Sequence, residues 1–184
     1  MHTRFVTDTL TYTGDFLRSH WIYNTYGLMG DAAVAFKGPC NVDLSEMVDL
    51  ADVRELASIY SEQMLHFIVE HFHTPLEVMV LRQRLLTAQI RDLLEASGIK
   101  SIQRQGDDLY DGADKLSVSI ATLSPVSGVI HFGINISSQN TPVSTRGLAD
   151  YGLAPDLFAH QVLKNYAEEL VNIQQATCKV RAVV

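Results

Sequence analysis

Cysteine is scarce, and its placement excludes most of what it can build. The chain has two, Cys40 and Cys178, far apart and outside any C-x-x-C pair. A disulfide framework or a zinc ribbon is therefore not expected in a reducing compartment. Long apolar runs are missing as well. None approaches the ~20 residues of a membrane-spanning helix, and the amino terminus lacks the charged-then-apolar pattern of a secretory signal, so the expected location is cytoplasmic. Positive charge is short: 14 Lys and Arg stand against 21 Asp and Glu, a formal charge of -7. That balance disfavours nucleic acid and anionic membrane surfaces as partners. Strand-like alternation begins at Arg4, which leaves no room ahead of it for a helix-turn-helix module. Glycine is absent between Cys40 and Pro75, so that stretch has no flexible backbone nest for an ATP phosphate. No repeat, low-complexity tract or charge block marks a linker.

What remains is an ordinary composition, 47% hydrophobic over 184 residues. One domain spanning 1–184 is expected, able to bury roughly 70% of its unfolded surface. Arg4 to Tyr12 alternates as a strand, and Thr13 or Asp15 could cap a short helix through Trp21 and Tyr23. Ala32 to Phe36 reads as a short strand ending at the turn pair Gly38-Pro39. Asp49 to Gln63 has helical composition, and Met64 to His73 is an apolar strand. Thr74, Pro75 and Glu77 suggest a capping box opening a helix, with Met79, Leu86 and Leu93 on one face until Gly98. Ser101 to Tyr110 returns as a strand, Asp111-Gly112 turns it into a second, and Ser124 to Gly128 turns that into a third. Pro155 starts a last helix whose Phe158, Val162, Tyr166, Leu170 and Ile173 form an apolar stripe. Segregated strands with helices on a face predict an α+β fold, a mixed and largely antiparallel sheet with helices packed on it.

The densest stretch for chemistry is Gly106 to Ile136. After Asp114, Lys115, Ser117, Ser119 and Ala121 alternate with Leu116, Val118 and Ile120; in the next strand His131, Gly133 and Asn135 alternate with Ile130, Phe132, Ile134 and Ile136. Two mostly polar faces side by side could form a site floor with Lys115 at its centre and Gly133 leaving room for a ligand. They could also be the solvent face of an ordinary sheet.

The spacing Asp107-Asp108-Leu109-Tyr110, four residues, then Lys115-Leu116 is similar to the biotin protein ligase signature N-D-L-Y-x-x-x-x-K-L, with Asp107 where those ligases have asparagine. Gly133-Ile134-Asn135 is similar to the G-I-N segment that follows in them. The resemblance implies that Lys115 contacts the carboxyl or acyl-phosphate end of a bound acid. An ammonium on a dry sheet floor can neutralise such a group, so the implied role is physically reasonable. Neither the G-R-G-R-x-G-R-x-W loop of biotin ligases nor the R-x-x-G-G-G-x-x-x-H-D loop of lipoate ligases is present. Over its length, through LRSHWIYN, GDAAVAFKGPCNV, MLHFIVEHF and CKVR, the chain resembles the family called domain of unknown function 366. That resemblance implies the biotin/lipoate protein ligase fold, within the group that also holds class II aminoacyl-tRNA synthetases.

The candidate site residues follow. Lys115 would be the electrostatic stabiliser; Asp107 and Asp108 could orient it; Ser117, Ser119, Gly133 and Asn135 would position a ligand. His131 could act as acid or base, or merely bond a neighbouring strand. Arg146 could close over a carboxylate, or be a solvated loop charge. Cys40, at a strand exit, is the one candidate nucleophile, by analogy with carrier transferases of the same fold, and otherwise a small buried hydrophobe. Asp107 to Asp114 does not fit a calcium loop, since the third and twelfth positions would be Leu109 and Val118. His66, Glu70, His71 and His73 place at most two ligands on either strand face, so no metal is expected. The residues name no cofactor. The expected ligand is a small carboxylic acid or acyl compound; acyl or carboxyl transfer is one reading, a noncatalytic binding or scaffold protein the other, and a homo-oligomer stays open.

Overall fold

The computed structural model describes residues 1–55 and 59–183. Its strands are β1 (His2–Thr9), β2 (Ala32–Val42), β3 (Ile59–Phe72), β4 (Ile102–Gln105), β5 (Asp108–Asp111), β6 (Asp114–Lys115), β7 (Ser117–Leu123) and β8 (Ser127–Asn135). Its helices are α1 (Trp21–Tyr26), α2 (Leu50–Glu55), α3 (Leu76–Ala96) and α4 (Pro155–Cys178). The main sheet has the order β1-β2-β3-β8-β7, and β4, β5 and β6 make a second, antiparallel sheet. Among the described residues only the β1 and β2 pair is parallel in the main sheet. This is the mixed, largely antiparallel α+β arrangement expected.

Central β3 explains itself. Met64 through His71 are all buried, because the strand has neighbours on both edges and packing on both faces, so its apolar run is nearly continuous rather than alternating. One face carries Leu65, Phe67 and Val69 with Phe132 and Ile134 of β8, covered by Met79, Leu86 and Ile90 of α3 and Phe158, Val162 and Tyr166 of α4. Burying a side chain such as Phe67 or Phe132 contributes about 2–3 kcal/mol. The other face carries Val34, Phe36, Met64 and Ile68, packed by Tyr12, Trp21 and Ile22. The cavity described below opens on this second face.

Polar pins fix the far end of β3. The Asp31 carboxylate accepts from His71 Nδ1 at 2.8 Å and from the Phe72 N–H at 2.9 Å. With Nδ1 protonated, His71 Nε2 accepts from the Tyr166 hydroxyl at 3.0 Å, tying α4 to the sheet. Buried Glu70 accepts from His20 N–H and from Ser127 Oγ, at 2.8 and 2.6 Å.

Several expected boundaries move. The Gly38-Pro39 pair does not end β2; it sits in a register irregularity through which the strand continues to Val42, a place where a missing proline N–H is tolerated. The helix expected from Thr13 is a 3-10 turn at Gly14–Phe16 followed by the separate α1. Of the helix expected over Asp49 to Gln63, only Leu50–Glu55 is helical and Ile59 already belongs to β3; residues 56–58 of it lie outside the described residues. α3 has Pro75 as its cap with no capping side chain, because Thr74 Oγ1 donates to Phe72 O instead. Gly106, at φ 65°, splits the strand expected over Ser101 to Tyr110 into β4 and β5. On α4 the apolar stripe is buried to Tyr166, whereas Ile173 is exposed.

Candidate functional site

The register of β7 on β8 decides which side chains can meet. Ser117 stands opposite Ile134, Val118 opposite Gly133, Ser119 opposite Phe132 and Ile120 opposite His131. Directly opposed residues share a face. The serines of β7 therefore lie with the apolar residues of β8, under α3, and Val118 and Ile120 lie with His131 and Asn135. The two polar faces read from the sequence are on opposite sides of the sheet. The Ser117 hydroxyl accepts from Leu109 N–H at 2.9 Å. The Ser119 hydroxyl donates to Asp107 O at 3.1 Å and accepts from Gln83 Nε2 at 2.8 Å. Both residues adjoin the cavity, but these hydroxyls are occupied by structural bonds.

Lys115 nevertheless reaches the cavity, by another route. Leu116 is buried in the helix-side cluster, and Ser117 bonds Leu109 of that same cluster, so two consecutive residues face one side and the strand alternation breaks between them. Upstream of the break the chain leaves the main sheet and Lys115 pairs with Tyr110 in the smaller one. Its backbone donates to Ser144 O at 3.0 Å, and its carbonyl accepts from Arg146 N–H at 3.2 Å. Asn135, on the main sheet, holds this junction: Nδ2 donates to Lys115 O and to Arg146 O, each at a long 3.4 Å. The expectation that Lys115 and Asn135 would project from adjacent antiparallel strands is thus corrected. They meet at one cavity from two sheets.

The cavity encloses about 290 Å³. It is lined by Met64, Val118, Ile120 and His131 of the main sheet, by Asp108 and Lys115 of the smaller one, and by Glu46, Met47, Val48, Asp49 and Asp52 from the segment around α2. Gly14 lets that segment approach, since a Cβ there would fall 2.5 Å from Glu46 O. Lys115 Nζ lies 2.7 Å from Asp108 Oδ2. Burial alone would lower the lysine, but the charge and hydrogen bond of Asp108 outweigh it and keep the ammonium charged. Burial raises the Asp108 carboxyl in spite of Lys115, with Asp107 and Asp52 adding to the rise. Asp108 Oδ1 is buried without a partner.

His131 belongs to a relay the sequence did not show. His66 Nε2 lies 3.1 Å from Gly38 O, and a carbonyl only accepts, so that nitrogen carries the proton. His66 Nδ1 is then a lone pair, and His131 Nε2, 3.0 Å away, must donate to it. Burial pushes His66 down to about 4 and His131 well below its usual range, so both are neutral near pH 7. Tyr12 stacks on the His131 ring with centroids 3.7 Å apart. The same stack corrects the role given to Gly133: a Cβ there would meet Met64 Cε at 2.9 Å and the His131 ring at 3.3 Å, so the space serves those side chains rather than a ligand.

The remaining candidates lie at the edge or away. Cys40 lines the cavity but is fully buried, and burial pushes its thiol up to about 12. Asp107 turns toward α3, held by Arg84 at 3.0 Å and Gln83 Nε2 at 2.8 Å. Arg146 does not line the cavity; its guanidinium is half-exposed and faces Asp114 at 3.3 Å and Asp111 at 3.7 Å. Among the described residues no three His, Cys, Asp or Glu side chains converge as a metal-binding set. Sequence reasoning missed Tyr12, Asp49 and Asp52, and weighed His66 only as a metal ligand. The acids at i and i+3 in Asp49 and Asp52 left a trace in the helical composition of their segment.

The family model for the domain of unknown function DUF366 matches residues 1–181. The chain belongs to the DUF366 family. An uncharacterised protein of Methanocaldococcus jannaschii, MJ0805, is 38% identical over 178 residues, covering 93% of this chain and 80% of that one. A solved Pyrococcus horikoshi protein of unknown function is 37% identical with a TM-score of 0.91, covering 99% of this chain and all of that one. A variant of biotin protein ligase from Aquifex aeolicus, solved in complex with biotin, is 15% identical with a TM-score of 0.61, covering 95% of this chain and 72% of that one. The DUF366 chain thus has the biotin/lipoate ligase fold. Among the described residues no helix is long and apolar enough to cross a membrane.

Proposed function

We propose that this DUF366 protein binds a small carboxylic acid or acyl compound at the Lys115 site, acyl or carboxyl transfer being the chemistry such a site supports. The observation that carries the reading is the half-buried Lys115 and Asp108 pair at the cavity wall. One ammonium proton goes to Asp108, which leaves two to grip a carboxyl or acyl oxygen, and the low dielectric around them strengthens that grip. The shared fold supports the reading, because a structural neighbour holds biotin, itself a small acid. Asn135 contributes by anchoring the backbone that presents the lysine. ATP is disfavoured as co-substrate: the cavity lining includes Glu46, Asp49 and Asp52, whereas a triphosphate would need donors and cations.

The noncatalytic binding reading has one observation in its favour. Cys40, the only candidate nucleophile, is buried with its thiol pushed up to about 12, so almost no thiolate is present near pH 7. Binding is therefore the primary proposal.

The test is thermal shift against an acid panel with wild type and Lys115→Ala. Removing the lysine strands Asp108, so the unliganded transition should fall by the equivalent of about 1 kcal/mol after allowance for solvent screening. The informative quantity is the ligand-induced rise above each protein's own baseline. Wild type should gain from one or more acids and the variant should not, a loss of about 1.5–3 kcal/mol of binding. Equal gains would make Lys115 an ordinary charge and remove the proposal.

A further inference from the structure

The carboxylates around the cavity outnumber its cations, and this deepens the acid-binding reading on which it rests. Glu46, Asp49, Asp52, Asp107 and Asp108 adjoin the cavity, and Lys115 is the one lysine or arginine that does so among the described residues. Arg84 matches Asp107 and Lys115 matches Asp108. Glu46, Asp49 and Asp52 form no salt bridge among the described residues. The wall already feels its own charge. Burial raises the Asp52 carboxyl and Asp49, Glu55 and Asp107 raise it further, against the opposing pull of Lys115. A bare carboxylate entering here would leave water for a surface of like charge and would have to share Lys115 with Asp108.

The buried polar atoms point the same way, independently of that wall. His131 is only 4% exposed and lines the cavity. The relay commits its Nε2 to donating into His66, so Nδ1 is an acceptor, and it has no partner among the described residues. Asp108 Oδ1, beside the Lys115 ion pair, is a buried acceptor without a donor. A ligand supplying an N–H group gives the His131 Nδ1 acceptor at the cavity a donor. Lys115 alone among the charged side chains lining the cavity offers donors; the other charged groups there are carboxylates, which only accept.

We propose that the ligand carries its own cation: a carboxyl or acyl group joined to an alkylammonium, with the carboxyl end at Lys115 and the ammonium facing Asp52, Asp49 and Glu46. Its two charges match the Lys115 ammonium and the carboxylates of Glu46, Asp49 and Asp52, and the molecule brings no net negative charge into an acidic cavity. A cavity of about 290 Å³ suits a compact molecule of this kind.

Calorimetric titration with matched probes tests this. The probes are 2-amino and ω-amino acids of about four to eight carbons, their parent acids, and n-alkylamines of the same lengths. At least one aminated acid should bind about tenfold or more tightly than its parent. Asp52→Asn, a change at a partly exposed position of α2, should pull that ratio toward one, and Glu46→Gln should do so more weakly. Lys115→Ala should weaken parent and aminated acid alike. If parent acids bind as tightly as their aminated forms, and Lys115→Ala still abolishes both, the cation is overturned and the Lys115 site stands. If alkylamines bind best and ignore Lys115→Ala, the acid end is overturned with the proposed function. Failure of every probe at millimolar concentration overturns the zwitterion as well.

Discussion

Gly133 and Cys40 show how a residue type can suggest a site while its surroundings assign it to packing. The glycine is needed because Met64 Cε and the His131 ring occupy the volume beside it, not because a ligand does. Gly133→Ala should therefore destabilise the fold by about 1 kcal/mol, the low end of overpacking because Met64 Cε is the movable end of its side chain, read as a lower urea midpoint with an unchanged slope. A neutral substitution would mean that the space is open after all. Cys40 presents the opposite error, a reactive atom in an unreactive place. With its thiol at about 12 and no exposed surface, it should resist iodoacetamide at pH 8 in the native protein, whereas the exposed Cys178 is alkylated. Peptide mapping separates the two, and rapid native labelling at Cys40, or an acyl adduct there after exposure to a thioester, would restore the nucleophile.

At the scale of elements, the second sheet is what converts a motif into a site. Without the break between Leu116 and Ser117, strict alternation would carry Lys115 to the helix side with Ser117 and Ser119, and its ammonium would be buried under α3. The small β4-β5-β6 sheet lifts the lysine out of that register and sets Asp108 beside it. At the other end of β3, α4 is fastened by one polar chain from Asp31 through His71 to Tyr166. Tyr166→Phe keeps the ring and deletes the donor, leaving His71 Nε2 as an unpaired buried acceptor. Chemical denaturation should report a loss of about 1–3 kcal/mol. A change within error would show that water replaces the hydroxyl.

At the scale of the whole molecule, three buried histidines set the response to acid. His66, His71 and His131 are each lowered chiefly by burial, His66 to about 4. Below pH 6.5 the unfolded chain takes up protons that the folded chain refuses, so stability is complete above that value and is lost as pH falls toward the folded values. His66 alone accounts for about 3 kcal/mol between pH 6.5 and 4. Asp31, held low by His71 against the opposing effect of burial, acts in the same direction but only below about pH 3.8. Urea midpoints should therefore fall steeply from pH 6.5 to 4.5, and a flat profile would show that these histidines titrate alike in both states. The α+β class, the amphipathic α3, the existence of most strands and the Lys115 spacing are legible in the sequence alone, because periodicity and turn chemistry are local properties; that the 101–110 strand and the Lys115 strand join a second sheet is not. The sequence could not determine which face of β7 meets which face of β8, since a single irregularity between Leu116 and Ser117 reverses the assignment. Nor could it bring His66 and Tyr12 to His131, or the acidic segment to the same cavity as Lys115. Those proximities join residues far apart in the chain, and only the packed sheet decides them.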